Sequence, residues 1–151
     1  IKWVNDVLMN GRKLNGTLTE ATIEGETGTV SSLVVGIGIN LRPNPHWPED
    51  VKAVAGAISD FGRVPRRAEL IAAVLTHFER NYALIEQDRE RELVALYRER
   101  LCCLGRTITV VSPAARYEAV CTGLDDEGHL LIRTANGETR ALSTGEISIR
   151  L

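Results

Sequence analysis

The Asn10-Gly11 dipeptide constrains this chain more than any other local feature, because both central positions of a two-residue hairpin turn need positive φ. It joins a predicted strand near Asn5–Met9 to another near Arg12–Thr22. A turn at Gly25–Gly28 and a nearly continuous apolar run over Ser32–Leu41 follow. We therefore predict a three-stranded antiparallel meander, whose last strand is buried on both faces.

The remainder of the chain changes from helical to β periodicity at Gly105. Asp50 is expected to cap a short helix with apolar positions as far as Ile58. Apolar residues recur at helical spacing over Arg66–Glu86 and again over Arg89–Leu101. Five strands are predicted after Gly105, near Thr107–Ser112, Arg116–Leu124, His129–Thr134, Glu138–Leu142 and Glu146–Arg150. Five short strands in about 45 residues are typical of a small β-barrel.

Composition excludes several classes of protein. The 151 residues carry 18 basic and 20 acidic side chains, a net charge of -2, which argues against a nucleic-acid binder. No apolar run approaches the roughly 20 residues of a membrane span. The three cysteines lack CxxC spacing, which favours reduced thiols in a cytoplasmic protein. Because the chain starts at Ile1 with a strand-like segment, we expect it to be a fragment.

The hairpin brings two opposite charges near each other. A two-residue turn pairs Leu8 with Lys13 and Asp6 with Asn15, so that these four side chains share one face of the sheet. Asp6 and Lys13 are then diagonal neighbours, with their Cα atoms about 7–8 Å apart. Together they can contact one polyanionic ligand, with Asp6 holding Mg²⁺ and Lys13 touching phosphate or carboxylate oxygens. A solvent-exposed pair of charges without a ligand is the alternative.

The segment Gly36–Asn40 contains two glycines inside a predicted strand. It is not a dinucleotide-binding loop, because Leu41 occupies the position of the third glycine. Glycines within a strand indicate close approach by a ligand or by another backbone. Asn40, at the end of the strand, is a candidate for contact with a base or ribose. A bulge or crowded packing explains the same glycines without a ligand.

Several segments, in order along the chain, resemble the biotin–protein ligase family. Lys2–Asp6 is similar to the family pattern KWPND, Gly11–Glu20 to GRKLAGIL.E, and Val35–Asn40 to VGIG.N. Gly123–Leu131 and Ser143–Arg150 resemble the family's end domain. Each motif is modest alone, but their order from the first residue to the last makes a chance match implausible.

The resemblance implies an α+β fold in which residues 1–104 are the C-terminal part of a class II synthetase-like mixed-sheet domain, as in biotin and lipoate ligases. Residues 105–151 would form a small SH3-like barrel. The implied enzyme is a biotin–[biotin carboxyl-carrier protein] ligase that uses ATP and Mg²⁺. It joins biotin to one lysine of a biotin carboxyl carrier protein domain through biotinyl-5′-AMP. Homodimerisation is left open.

The motifs also imply roles for individual residues. Lys13 would contact the biotin carboxylate and the α-phosphate, and Asp6 would bind the metal and assist the incoming amine. The other implied binding residues are Asn5, Gly16, Gly36, Gly38, Ile39 and Asn40. Trp3 has two open alternatives, packing against the adenylate or a plain core role.

Departures from the pattern leave other functions open. Val4 replaces the family's proline, and Asn15 and Thr17 replace alanine and isoleucine. The family's arginine-rich loop over the adenylate, and the DNA-binding domain of its repressor members, lie upstream of these motifs. We therefore expect this chain to be inactive alone. A non-catalytic module that docks a carrier protein, and a ligase for lipoate or another acyl group, are the competing interpretations.

Overall fold

The computed structural model describes residues 1–113 and 115–143, together with the backbone of Ser148–Arg150. The strands in this part are β1 (Asp6–Met9), β2 (Arg12–Ile23), β3 (Val30–Ile39), β4 (Thr107–Val111), β5 (Arg116–Leu124), β6 (Leu130–Thr134), β7 (Thr139–Leu142) and β8 (Ser148–Arg150). The helices are α1 (Glu49–Val54), α2 (Arg67–Ile85) and α3 (Glu90–Arg98), with a 3₁₀ turn at Ile58–Asp60. None of the described helices combines the length and hydropathy that a membrane span needs.

The chain divides into two compact units. The first unit covers Asn5–Val64, and the second combines Ile1–Val4 with Pro65–Leu151. The first unit contains the sheet β1-β2-β3, and the second contains the sheet β7-β6-β5-β4-β8. Both sheets are antiparallel, so the α+β class is confirmed for the described residues.

The predicted meander is confirmed in the first unit. Asn10 and Gly11 have φ values of 49° and 78°, as a two-residue hairpin turn requires. β2 then pairs with β3 in one continuous ladder from Asn15 opposite Ile39 as far as Thr22, with a register shift at the end. These three strands therefore form the expected up-and-down order.

Strand β3 is exposed, and the prediction that it is buried on both faces is wrong. Leu33 and Val34 are 61% and 62% exposed, and Ile37 is 43% exposed. An apolar run predicts burial only when other layers cover both faces of the sheet. In the described part of the chain, no layer covers β3 in this way.

The helix predicted from Asp50 to Ile58 is shorter than expected. α1 begins at Glu49 and ends at Val54, so Asp50 lies inside its first turn rather than at the cap. A carboxylate in the first turn is stabilised by the positive end of the helix dipole. The residues after Val54 leave the helix because they pair with β2, as described below.

The second unit has a conventional apolar core. Alternate positions along its strands are buried, as the predicted period of two requires. The fully buried side chains include Ile108, Val110, Cys121, Leu130 and Ile132. Trp3 joins this core at 3% exposure, and its Nε1 donates to the carbonyl oxygen of Gly128 at 3.2 Å. Trp3 therefore has the core role.

The predicted strands after Gly105 are observed with similar bounds. β7 and β8 form the two edges of the described sheet, which is open. The SH3-like barrel therefore stays a prediction. Residues 144–147, which contain part of the predicted last strand and of the family-like ending, lie outside the described residues.

Both long helices are confirmed. In α3, Val94 and Tyr97 pack against the core of the second unit. The apolar stripe of α2 is exposed instead, with Leu75 at 61%. Phe78 and Tyr82 stack on this stripe, with ring centroids 6.1 Å apart. The helical period thus predicted the helix correctly but not what covers it.

Candidate functional site

A bulge in β2 determines which side chains share a face. Leu8 lies opposite Lys13, as predicted, but Asp6 lies opposite Gly16 rather than Asn15. The extra residue in β2 is Leu14, which has no partner in β1. The prediction that Asn15 shares a face with Asp6 and Lys13 is therefore wrong. Turn chemistry fixes the register only as far as the bulge.

The bulge brings Asp6 and Lys13 into direct contact. Lys13 Nζ lies 2.5 Å from Asp6 Oδ1. The Asp6 side chain is 13% exposed and the Lys13 side chain 43% exposed. An ammonium has three N–H donors. Since one of them faces Asp6, the exposed ammonium can present the others to a bound anion.

Gly16 provides the space in which the Lys13 side chain lies. A Cβ at Gly16 would be 3.2 Å from both Cε and Nζ of Lys13, and 3.6 Å from Asp6 Oδ1. Such contacts to Cε and Nζ are tighter than most real Cβ contacts, so a side chain here would push the ammonium away. Gly16 therefore sets the position of the ion pair.

A strip of sheet without side chains adjoins the ion pair. Gly38 lies opposite Gly16, which lies opposite Asp6, so the three share one face. Gly36 is on the same face, two residues from Gly38 along β3. Cβ atoms at Gly36 and Gly38 would meet only backbone oxygens, at 3.7 and 3.6 Å. Neither glycine is needed for packing within the described chain, which leaves a flat surface beside Lys13.

The backbone of Lys13 is held by a buried segment of small residues, Ala55–Ala57. Ala55 forms an isolated parallel bridge with Lys13, and the N–H of Gly56 donates to the Lys13 carbonyl oxygen at 2.8 Å. Asn40 Nδ2 donates to the carbonyl oxygens of Lys13 and Gly56, at 3.3 and 3.0 Å. The Asn40 side chain thus fixes the lysine backbone, whatever else it contacts.

Arg12 is a supporting residue of the site that the sequence analysis missed. Its Nε donates to the carbonyl oxygen of Ala55 at 2.9 Å, and its Nη1 lies 3.4 Å from Asp60 Oδ2. Asp60 Oδ2 also accepts the N–H of Ala57 at 3.0 Å. The Ala-Gly-Ala run after a short helix was the available signal, because small residues allow a backbone to lie close to a strand.

The other predicted site residues lie around this centre. Asn5 is exposed, and its Nδ2 donates to the carbonyl oxygen of Thr17 at 2.6 Å, which fastens the start of β1 to β2. Ile39 lies opposite Asn15, on the face away from Asp6. Asn15 is 9% exposed, and its Nδ2 donates to the Gly38 carbonyl oxygen at 2.8 Å. The structure therefore brings together Asp6, Lys13, Gly16 and Gly38, and leaves Ile39 apart from them.

The site does not fit a resident Mg²⁺ at Asp6. A divalent cation prefers several oxygen ligands, and Mg²⁺ is usually held by one or two carboxylates together with substrate phosphates. Here one carboxylate is already neutralised by an ammonium at 2.5 Å. The arrangement is suited instead to binding an anion next to Lys13, with Asp6 fixing the direction of the ammonium.

A second polar cluster lies on the turn between β5 and β6, in the other unit. Ligand atoms of Asp125, Glu127 and His129 lie within 4.8 Å of one another. Asp125 Oδ2 is 2.8 Å from His129 Nδ1. Burial opposes ionisation of Asp125, but hydrogen bonds from the His129 ring and N–H outweigh it and lower the pKa of the carboxyl group. Asp125 Oδ1 accepts two backbone N–H bonds, so the cluster is explained as a turn-stabilising motif.

Two family models match the chain. Residues 1–40 match the biotin/lipoate A/B protein ligase family, and residues 103–150 match the biotin protein ligase C-terminal domain. The first match contains β1, β2, β3 and the ion pair, and the second contains the five-stranded sheet.

Curated relatives match over most of the chain. It is 32% identical over 139 residues to the bifunctional ligase/repressor BirA of Bacillus subtilis (strain 168), covering 91% of this chain and 42% of the relative. It is 30% identical over 151 residues to the biotin–[acetyl-CoA-carboxylase] ligase of Mycobacterium tuberculosis, covering 97% and 52%. The chain thus spans about half the length of these curated relatives.

Solved structures that resemble this chain are also biotin protein ligases. The Aquifex aeolicus biotin protein ligase in complex with biotin and ATP superimposes with a TM-score of 0.82 at 26% identity, covering 99% of this chain and 61% of that one. Its apo structure gives a TM-score of 0.83, also at 26% identity, covering 99% and 64%.

Proposed function

We propose that this chain, which belongs to the biotin protein ligase family, carries an anion-binding face of an enzyme that joins biotin to a lysine of a carrier protein. The observation that supports this most is the Lys13 ammonium, held by Asp6 above Gly16 beside the strip formed by Gly36 and Gly38. A carboxylate and a phosphate are the anions that such a ligase must bring together.

The proposed reaction has two steps. In the first, a biotin carboxylate oxygen attacks the α-phosphorus of ATP, a P–O bond forms and pyrophosphate leaves. In the second, the ε-amine of a lysine on a biotin carboxyl carrier protein domain attacks the acyl carbon of biotinyl-5′-AMP. A C–N bond forms, AMP leaves and the amine loses a proton.

In this proposal Lys13 acts through electrostatics rather than as a base. Negative charge develops on the α-phosphate oxygens as the first bond forms, and a fixed ammonium stabilises it. Asp6 contributes by directing Nζ, since the ion pair restricts where the flexible side chain can lie. A fixed donor acts with less reorganisation at the moment of reaction.

The remaining residues are proposed to shape the site. Gly16, Gly36 and Gly38 allow the ligand to lie close to the strands. Ile39 and Asn40 are assigned to the nucleotide side, with Asn40 also supporting the Lys13 backbone through its amide. Asn5 fastens β1 next to Asp6. Mg²⁺ is assigned to the bound ATP rather than to Asp6, since Asp6 is already paired with Lys13.

We further propose that residues 1–104 belong to the catalytic domain and that 105–151 form the SH3-like end domain. The match of 103–150 to the C-terminal domain model supports this division. The end domain is assigned to carrier docking or to clamping the nucleotide side. The model that matches residues 1–40 covers both biotin and lipoate ligases, whereas the end-domain model is described for biotin protein ligases alone. The end-domain match therefore favours biotin over lipoate.

A lysine comparison tests the proposal. The chain has three lysines, Lys2, Lys13 and Lys52, and Lys52 lies on α1 in an ion pair with Glu49. In the full-length protein, Lys13→Ala should lower biotin-dependent pyrophosphate release by about 10²–10³-fold, the usual loss when one such donor is removed. The matched control Lys52→Ala should leave the rate unchanged.

The outcomes separate the competing functions. Equal rates for the two variants would contradict the role of Lys13. Pyrophosphate release with lipoate but not with biotin would indicate a lipoate ligase. Binding of a carrier domain without any pyrophosphate release would indicate a docking module.

A further inference from the structure

Two cysteines of the second unit form a buried dithiol that the proposed function does not use. Cys103 lies in the turn after α3, and Cys121 lies within β5. Their Sγ atoms are 3.5 Å apart, and both residues are 0% exposed. An S–S bond is about 2.05 Å long, so the sulfurs need to approach by only about 1.5 Å to form one.

Backbone hydrogen bonds hold the two cysteines next to each other. The N–H of Gly105 donates to the Cys121 carbonyl oxygen, and the N–H of Cys121 donates to the Arg106 carbonyl oxygen, both at 2.9 Å. The N–H of Arg106 donates to the Cys103 carbonyl oxygen at 3.0 Å. Gly105 has φ +73°, which lets the turn close in this way. The contact between the sulfurs is therefore fixed by the backbone on both sides.

The thiols differ in acidity. Cys103 donates its S–H to the sulfur of Cys121, and this bond together with burial raises the pKa of Cys103. The same bond lowers the pKa of Cys121 to about 7. Cys121 is thus the sulfur that more readily becomes a thiolate, which is the form that attacks a disulfide.

We propose that Cys103 and Cys121 are a modification site, forming a reversible disulfide with a small-molecule disulfide as oxidant. The Cys121 thiolate attacks one sulfur of oxidised glutathione, an S–S bond forms and glutathione thiolate leaves. Cys103 then loses its proton and attacks the Cys121 sulfur, displacing the second half of the oxidant. Two cysteines are oxidised, and one glutathione disulfide is reduced to two thiols.

The bond would fasten the turn after α3 to the central part of the five-stranded sheet. Both sulfurs are buried, so the oxidant reaches them when the turn opens, and the rate of modification reports on that opening. Cys102 is the competing thiol, because it adjoins Cys103 and is partly exposed. The inference does not depend on biotin ligation, since it rests on the geometry of the core alone.

The sequence makes the experiment selective. Trypsin places Cys102 and Cys103 together in the peptide 101–106 and places Cys121 in the peptide 117–133. The folded chain is treated with oxidised glutathione, quenched in denaturant with N-ethylmaleimide and examined by intact mass and peptide mapping. We expect a loss of two hydrogens, one maleimide adduct, a link between these two peptides, and reversal by dithiothreitol.

Three variants identify the pair. Cys102→Ala should form the crosslink at the wild-type rate, and Cys121→Ala should form none, because it leaves no sulfur in the peptide 117–133. Cys103→Ala leaves only Cys102 as the partner of Cys121 and should form the crosslink at least ~10-fold more slowly, because thiol exchange requires access to the partner sulfur. Circular dichroism checks that each variant is folded. A crosslink that needs Cys102, or one that wild type forms only in urea, would overturn the proposal. The Cys102→Ala result decides between the partners even if the two core variants unfold.

Discussion

The two compact units hold their strands together by different means. In the second unit, side chains such as Ile108, Val110 and Ile132 are at most 1% exposed, so apolar burial stabilises the sheet. In the first unit, Leu33 and Val34 are more than 60% exposed. There the backbone ladders and the polar contacts around Lys13 hold the strands, with little apolar burial on β3.

This difference explains where a ligand can bind. Side chains that fill a core are not free to contact substrate, whereas those on an exposed sheet are. The candidate site lies on the sheet that buries little apolar surface, and its order comes from hydrogen bonds made by Arg12 and Asn40. Substitutions that remove either apolar packing or a polar contact test this comparison, because their costs in stability should differ between the two units.

The largest change in stability is expected in the core of the second unit. Ile132→Ala should lower the free energy of unfolding by about 2–5 kcal/mol, because it removes a fully buried side chain and leaves a cavity. Ile37→Ala, at 43% exposure on β3, should cost about 1 kcal/mol or less. Urea unfolding followed by circular dichroism measures both. Similar losses would show that the units do not differ as burial suggests.

A smaller change is expected where the small-residue segment crosses β2. A Cβ at Gly56 would lie 2.8 Å from the Cβ of Arg12, whereas a Cβ at Gly62 would meet nothing within 4 Å. Gly56→Ala should therefore cost about 1–3 kcal/mol through overpacking. Gly62→Ala is the matched control and should be nearly neutral. Thermal unfolding of both variants provides the measurement, and a neutral Gly56→Ala would contradict the close crossing.

The ion pair itself should contribute little to folding. A double-mutant cycle with Asp6→Asn and Lys13→Ala should give a coupling energy of about 0.2–1 kcal/mol, as for other partly exposed pairs. Together with the large loss of pyrophosphate release expected for Lys13→Ala, this would separate catalysis from stability. A coupling well above that range would mean that the pair is mainly structural.

The smallest effect is expected at the Asp125 turn, and it depends on pH. The pKa of Asp125 is lowered in the folded state, so its contribution to stability is complete above the ordinary value of 3.8. It is lost as pH falls through the lower folded-state pKa. Asp125→Asn should therefore flatten the acid side of the stability profile. Thermal midpoints measured from pH 5 downward test this, and parallel profiles would contradict it.

The sequence predicted the strands and helices better than it predicted which of their faces are buried. The Asn10-Gly11 turn and the helical period over Arg66–Glu86 are local signals, and both are confirmed. Burial of β3 depends on what lies against it, which a run of apolar residues cannot specify. The same apolar run therefore predicted the strand correctly but predicted its burial wrongly.

The candidate site shows a similar limit. The hairpin rule brought Asp6 and Lys13 together correctly, but it gave no sign of the bulge at Leu14. Arg12 was not predicted because its partners, Ala55 and Asp60, are more than 40 residues away along the chain. Long-range polar contacts of this kind leave no periodic signal in a single sequence.

The unpaired Leu14 determines on which face of the sheet each later side chain of β2 lies. Odd and even positions exchange sides at this residue, so that Gly16 rather than Asn15 lies beside Lys13. Deleting Leu14 alone would remove the bulge and keep Asn15 opposite Val7 and Gly16 opposite Asp6, whereas deleting Leu14 together with Asn15 would turn the rest of the strand over. Deletion scanning of β2 should therefore show an alternation of tolerance with the number of residues removed, a behaviour that point substitutions cannot reveal.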